Sequence, residues 1–340
     1  MTDRIQKNRL KEMDIYKAIA IVMVVYGHVL ANTSDIYTGF ISFVHMPIFY
    51  FVSGYFLYKE LKKYSEKELL KKKCRRLLVP YFVWSFVAFA ASAGIMILSK
   101  KADGSTLLSE AVQVFVYARS VWFFVQLFLA HVLFIILHKI TDKKIIRAAL
   151  NLIAWALLIV FCNTEILCMW KIKWLYGFLL LGYACSEYNL LEVIRSAKLS
   201  LLCISFAIFL CLWIAVTLIS SGAYSGDLIY GFDEMSFSGK ILMTEISVWA
   251  CGITGMATLY LASLFMSRSK VFDILCRMGG YTLDIYVAHM MIIFVIKMIP
   301  MPENGVFLLS FIVAFFFLCI PIYLMAKYIL RKIKLYRMVT

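Results

Sequence analysis

The stretch Met13–Asn32, MDIYKAIAIVMVVYGHVLAN, decides the class of this chain. Its 20 residues are almost all apolar, enough at 1.5 Å per residue to cross a hydrocarbon layer of about 30 Å as a helix. A basic arm, residues 1–12, precedes it, as in a secretory signal peptide. The apolar stretch is too long for a signal peptide, however, and no small-residue cleavage site comes after it. It also carries Lys17, Tyr26 and His28, which a discarded segment has no need of. The sequence therefore predicts a retained transmembrane helix with polar groups built into it.

The same pattern recurs outward from this helix. Spans at residues 41–58, 78–98, 121–138, 145–162, 170–186, 199–221, 241–266, 281–299 and 305–328 bring the expected number of crossings to ten. Composition agrees: 63% of the 340 residues are apolar and 16% charged, against about 25% charged in soluble domains. A water-soluble globular fold is excluded. The predicted fold is an all-α polytopic bundle of about ten transmembrane helices, a single membrane domain over residues 1–340.

The formal charge of +15 would suggest nucleic acid in a soluble protein, but its placement explains it otherwise. Of 35 Lys and Arg residues, 27 fall in or beside alternate connections and the terminal arms. That bias predicts both termini in the cytoplasm and requires no nucleic-acid partner. The nine cysteines have neither zinc-ligand spacing nor a secreted disulfide pattern, so they imply no metal. Cys162 and Cys168 flank an outer loop and are read as unlinked thiols.

Two connections exceed simple turns. The basic cytoplasmic connection, residues 59–77, holds Ser65 and Glu68 at capping-box spacing, predicting a short helix there, on the inner leaflet. The outer loop, residues 222–240, mixes Asp227, Asp233 and Glu234 with Tyr224, Tyr230 and Phe232, which suits a polar ligand or a plain exposed loop. Residues 105–118 are too few to cross and are expected to lie at the outer surface or re-enter. The cytoplasmic tail is expected from residue 329 to 340.

Ionisable groups in a bilayer are costly unless paired or facing water, so each is a functional candidate. Lys17 and His28 lie eleven residues apart, within about 20° of one helix face and about 16 Å apart along the axis. An extended pantetheine arm has comparable length. His45, one turn into the second span, is expected at the depth of His28, so the two imidazoles suit one shared site. An imidazole titrates near neutrality and can take a proton from a hydroxyl, as acyl transfer to a sugar requires. Arg75 and Arg76 end the basic connection; they suit either the phosphates of a nucleotide-bearing donor or simple positive-inside anchoring. Pro47 is tolerated near a helix start. His131 and His138 rank lower. So do Glu245, near the outer start of its span, and Asp284 and His289, placed in the cytoplasmic half of the ninth span.

These residues carry a resemblance. Asp14–Lys17, Val24–His28, His45–Phe49 and Ser53–Phe56 together strongly resemble membrane acyltransferase family 3. They are most similar to its fucose 4-O-acetylase-like or exopolysaccharide O-acetyltransferase branch. Arg76–Tyr81, Trp122–Phe124, Phe178–Gly182 and Gly280–His289 look like further landmarks. The resemblance implies ten helices in a bacterial cytoplasmic membrane. It implies transfer of an acyl group, usually acetyl from cytoplasmic acetyl-CoA, to a hydroxyl of a cell-surface glycan or lipid-linked precursor. Acetyl-CoA would be a substrate, with no bound cofactor. Lys17 and His28 match the family's basic-residue-to-histidine motif, in which the histidine is catalytic. Ser53, Gly54 and Tyr55 match its Ser-Gly-Phe/Tyr motif, and Arg76 its cytoplasmic arginine. Val44 departs from the phenylalanine many members have before the second histidine, which weakens the case for His45.

Each candidate thus has an expected role. His28 and His45 are the candidate catalytic residues; Lys17, Arg75 and Arg76 would hold acyl-CoA; Asp14, Ser53, Tyr55 and Trp122 would support the motifs. The chain carries no esterase-like domain after its last span, so it is expected to deliver directly or through a separate extracytoplasmic transferase. Two rivals remain: a transporter or uptake module, as in the membrane part of serine racemase-type resistance proteins, and an acyl-relay subunit.

Overall fold

In the computed structural model, residues 10–30, 40–220, 239–296, 309 and 311–332 are described, and every regular element among them is helical. The side chains of 30, 220, 239–245, 291 and 293–296 are outside that description, as are the outer loop apart from residues 239 and 240, most of the arm and the end of the tail. Eight helices among the described residues are long and apolar enough to cross a membrane: Phe40–Leu61, Glu66–Leu98, Trp122–Ile140, Lys144–Phe161, Ile166–Glu187, Leu199–Ile219, Ile246–Met266 and Val313–Lys332. The sequence predicts ten crossings. The two expected spans outside this set correspond to Lys11–Leu30 and Thr282–Ile296, both helical.

The chain divides into two compact units, Met1–Val52 with Tyr188–Ile329, and Ser53–Glu187 with Leu330–Thr340. In the first, helix α1 (Lys11–Leu30) is central. Helix α2 (His45–Leu61) starts in this unit and, from Ser53 on, belongs to the second.

The second unit continues with α3 (Glu66–Lys73), α4 (Val79–Leu98), α5 (Gly104–Ala111), α6 (Trp122–Ile140), α7 (Lys144–Phe161) and α8 (Ile172–Glu187). Ser65 caps α3 in the expected box: its Oγ accepts from Glu68 N–H while the Glu68 carboxylate accepts from Ser65 N–H. The expected short helix is not a separate surface element, because α3 runs through a π-turn, Cys74–Leu78, directly into α4. Pro80 is the physical cause. It has no N–H to give the carbonyl of Arg76 and its ring crowds that carbonyl, so the helix widens and Val79 N–H reaches back to Cys74 instead. The same device recurs before Pro321 in the first unit, where Val313–Cys319 is a π-turn and Ile320 N–H bonds Phe315.

Residues 105–118 form α5 and a second π-turn, Val112–Val116, and are not among the helices able to cross. Asp103 caps α5, and the N–H and hydroxyl bonds it accepts from Thr106 and Ser105 hold its carboxyl down at about 2. Cys162 and Cys168 are free thiols. Helix α7 shows the membrane pattern in one element. Ile145, Leu152, Ile153 and Phe161 are exposed, whereas Arg147 and Asn151 are buried. An apolar face turned outward suits a lipid surround. The polar side is satisfied within the unit: Arg147 pairs with Glu187 at 3.1 Å and donates to His138 Nε2, while Tyr176 donates to Asn151 at 2.6 Å.

The first unit resumes with α9 (Leu190–Ser196), α10 (Leu199–Ser220), α11 (Gly239–Met266), α12 (Asp273–Met278), α13 (Thr282–Ile296) and α14 (Ile320–Tyr328). Helix α1 packs against α11, α12, α13 and the Val313–Cys319 turn. Gly279, after α12, lies so close to α1 that a β-carbon there would collide with the carbonyl of Asp14. Helices α10 and α11 meet through Leu202, Leu261 and Leu264, with Phe206 and Phe265 packed alongside.

Candidate active site

Tyr16 fixes the rotation of α1. Its hydroxyl donates to the Met256 carbonyl of α11 at 3.0 Å, and its ring meets those of Tyr260 and Phe51 edge-on. The charged residues flanking it on α1 meet each other: Asp14, nearly buried, pairs with Lys17 at 2.9 Å, one helical turn on. Lys17 therefore keeps a charge partner inside the protein.

His28, in the last turn of α1, is half-buried and faces His289 of α13, with ring centroids 5.4 Å apart and planes 40° from parallel. His289 is completely buried. Its Nδ1 lies 3.0 Å from the Ile285 carbonyl. A carbonyl only accepts, so Nδ1 carries the proton and a neutral ring offers a lone pair at Nε2. That Nε2 is buried and has no hydrogen-bond partner among the described residues. The Tyr286 ring borders His289 at 5.8 Å. The sequence reading expects His28 and His45 to share a site; a ring that the structure sets against His28 is that of His289. His45, at the start of α2, gives its Nδ1–H to the Ile41 carbonyl at 2.6 Å.

In the second unit, Ser53 lies in the middle of α2 and is 3.0 Å from His131 Nε2 on α6. His131 is completely buried, and its Nδ1 lies 2.6 Å from the Leu127 carbonyl. By the same reasoning Nε2 is the acceptor and the Ser53 hydroxyl donates to it. Gly54 follows Ser53 because α2 touches α8 there: a β-carbon at residue 54 would overlap the Leu179 carbonyl. Tyr55 is buried, with the Lys59 ammonium over its ring at 4.8 Å and donating to its hydroxyl. Trp122 opens α6 with Lys171 Nζ 3.9 Å from its ring centroid.

Arg75 and Arg76 occupy the π-turn before Pro80, both exposed, and neither pairs with a carboxylate among the described residues. Their lysine neighbours differ. Lys72 and Lys73 converge on Glu60 at 2.9 and 2.5 Å, and Lys73 is buried. The positive charge left for an anionic ligand in this turn is thus that of the arginines.

The structure sets against Ser53 and His28 two residues that sequence reasoning ranked lower, His131 and His289. Each is an ionisable group within an apolar stretch, which was the available signal. Their partners, 78 and 261 positions away, were not readable.

A family model described as an acyltransferase domain matches residues 10–326. The chain belongs to acyltransferase family 3. It is accordingly a membrane acyltransferase in general terms, and its apolar helices fit that class. No curated protein and no solved structure matches it significantly.

Proposed function

We propose that this family member is an O-acyltransferase of the bacterial cytoplasmic membrane, in the polysaccharide O-acetyltransferase branch. It moves acetyl from cytoplasmic acetyl-CoA to a hydroxyl of a cell-surface glycan or a lipid-linked glycan precursor. The observation that supports this best is the placement of His28, half-buried against the buried His289. A base in such a setting takes a proton from an acceptor hydroxyl without competing bulk water. In this reading the hydroxyl oxygen forms the new ester bond as its proton passes to His28, and CoA leaves as the thiol. His45 is a second candidate for proton handling. The donor's phosphates are assigned to Arg75 and Arg76, whose planar forks suit them, and to Lys17. Asp14, Tyr55 and Trp122 support these groups.

The test is CoA release from acetyl-CoA by detergent-purified protein, wild type beside His28→Ala, with crude envelope glycan as acceptor. Sustained release over many turnovers that depends on both His28 and glycan is expected. Equal release by the variant would refute the role of His28. Donor neither bound nor consumed would return the chain to the transport reading, and acetyl consumed without any glycan product would favour an acyl-relay subunit.

A further inference from the structure

We infer that Ser53 and His131 form a nucleophile–base dyad, and that Ser53 carries the acyl group as a covalent ester between donor and acceptor. The inference rests on the acyl-CoA reading above and adds an intermediate to it.

Three observations carry it. A serine inside a helix ordinarily turns its hydroxyl back to a carbonyl of its own helix. Ser53 instead spends its hydrogen bond on His131, 78 residues away and on another helix. The imidazole is oriented for this from behind: the Leu127 carbonyl holds Nδ1–H, which fixes the tautomer with its lone pair toward Ser53. A nucleophile, a base in contact with it and a third group orienting the base is the arrangement that activates serine hydroxyls. Finally, exposure differs in the needed sense, since Ser53 is half-buried and His131 wholly buried. Ser53 is the more exposed member of the pair.

The step balances without any further reagent. Ser53 Oγ attacks the thioester carbonyl and its proton passes to His131 Nε2. The C–S bond breaks and the thiolate takes that proton, leaving free CoA and an O-acyl serine. An acceptor hydroxyl then attacks the serine ester, the bond between the acyl carbon and Ser53 Oγ breaks and the acceptor's proton ends on Oγ, giving the product ester and regenerating the Ser53 hydroxyl.

The experiment is rapid quenching of the purified full-length protein with acetyl-labelled acetyl-CoA and no acceptor, with protein-bound label then counted and mapped by peptide mass spectrometry. Expected is label on Ser53 that chases into crude envelope glycan when this is added. Ser53→Ala should retain none, and His131→Ala should acylate about 10²–10⁴-fold more slowly. Ser53→Cys guards against a folding defect: it should hold the label as a thioester released by neutral hydroxylamine. Acetyl transfer into glycan by wild type with no label on the protein at any quench time would overturn the inference and leave the acyltransferase reading intact. So would full transfer by Ser53→Ala. Absence of both acetyl-CoA binding and turnover would overturn the two together.

Discussion

His289 lies against His28 with its ring centroid 5.4 Å away, and its Nε2 is buried with no hydrogen-bond partner among the described residues. A buried polar atom left unpaired costs about 1–3 kcal/mol, so a sequence selected for stability alone would hold an apolar residue there. The cost makes sense if the lone pair is used when substrate is present, to steady His28 or the acceptor hydroxyl.

That argument separates stability from activity. His289→Leu is expected to leave the thermal unfolding midpoint in detergent unchanged or raised, while lowering the acetyl-transfer rate by about 10²-fold or more. Unfolding and CoA release are measured on the same preparation. A variant that loses stability and keeps its rate per folded molecule would mark His289 as a packing residue.

Two glycines should respond to alanine with opposite signs. At Gly54 a β-carbon would overlap the Leu179 carbonyl of α8, and backbone cannot rotate away as a side chain can. Gly54→Ala should therefore cost at least the roughly 1–3 kcal/mol typical of overpacking, seen as a lower unfolding midpoint and poor recovery from membranes. At Gly94, within α4, a β-carbon meets nothing within 4 Å. Gly94→Ala should gain up to about 1 kcal/mol from helix propensity. Similar midpoints for both would show that α2 and α8 are not in close contact at Gly54.

Much of this fold was legible in the sequence because membrane helices are written in continuous apolar runs. The Ser65–Glu68 box was legible too, since a cap depends on residues three apart. The π-turns were not anticipated, although Pro80 and Pro321 account for two of them. The site was harder, and the His28–His289 pair shows why. Depth counted along each span puts His289 in the cytoplasmic half and His28 near the far end. Yet α1 and the segment leading into α13 touch at Asp14 and Gly279. From there His28 is about 21 Å along its helix and His289 about 15 Å along its own. The difference is about one turn, which side chains and tilt can close, so residue counting alone misjudges a contact of this kind. Ser53 and His131 add the second reason: which helices are neighbours is not written in either helix.

The Glu60 cluster offers a test of charge burial in the second unit. Lys73, nearly buried, is balanced by Glu60, which Lys72 also contacts at 2.9 Å. Removing the carboxylate leaves a buried ammonium without a counter-charge, so Glu60→Gln should cost about 3–5 kcal/mol, the usual penalty for breaking one side of a buried pair. Replacing both partners removes the uncompensated charge. The double variant Glu60→Gln with Lys73→Met should therefore recover most of the loss, giving a large coupling in a double-mutant cycle. Chemical unfolding in detergent provides the readout. Additive single and double losses would mean that water or lipid headgroups already neutralise Lys73, and that Glu60 contributes no more than a surface pair would.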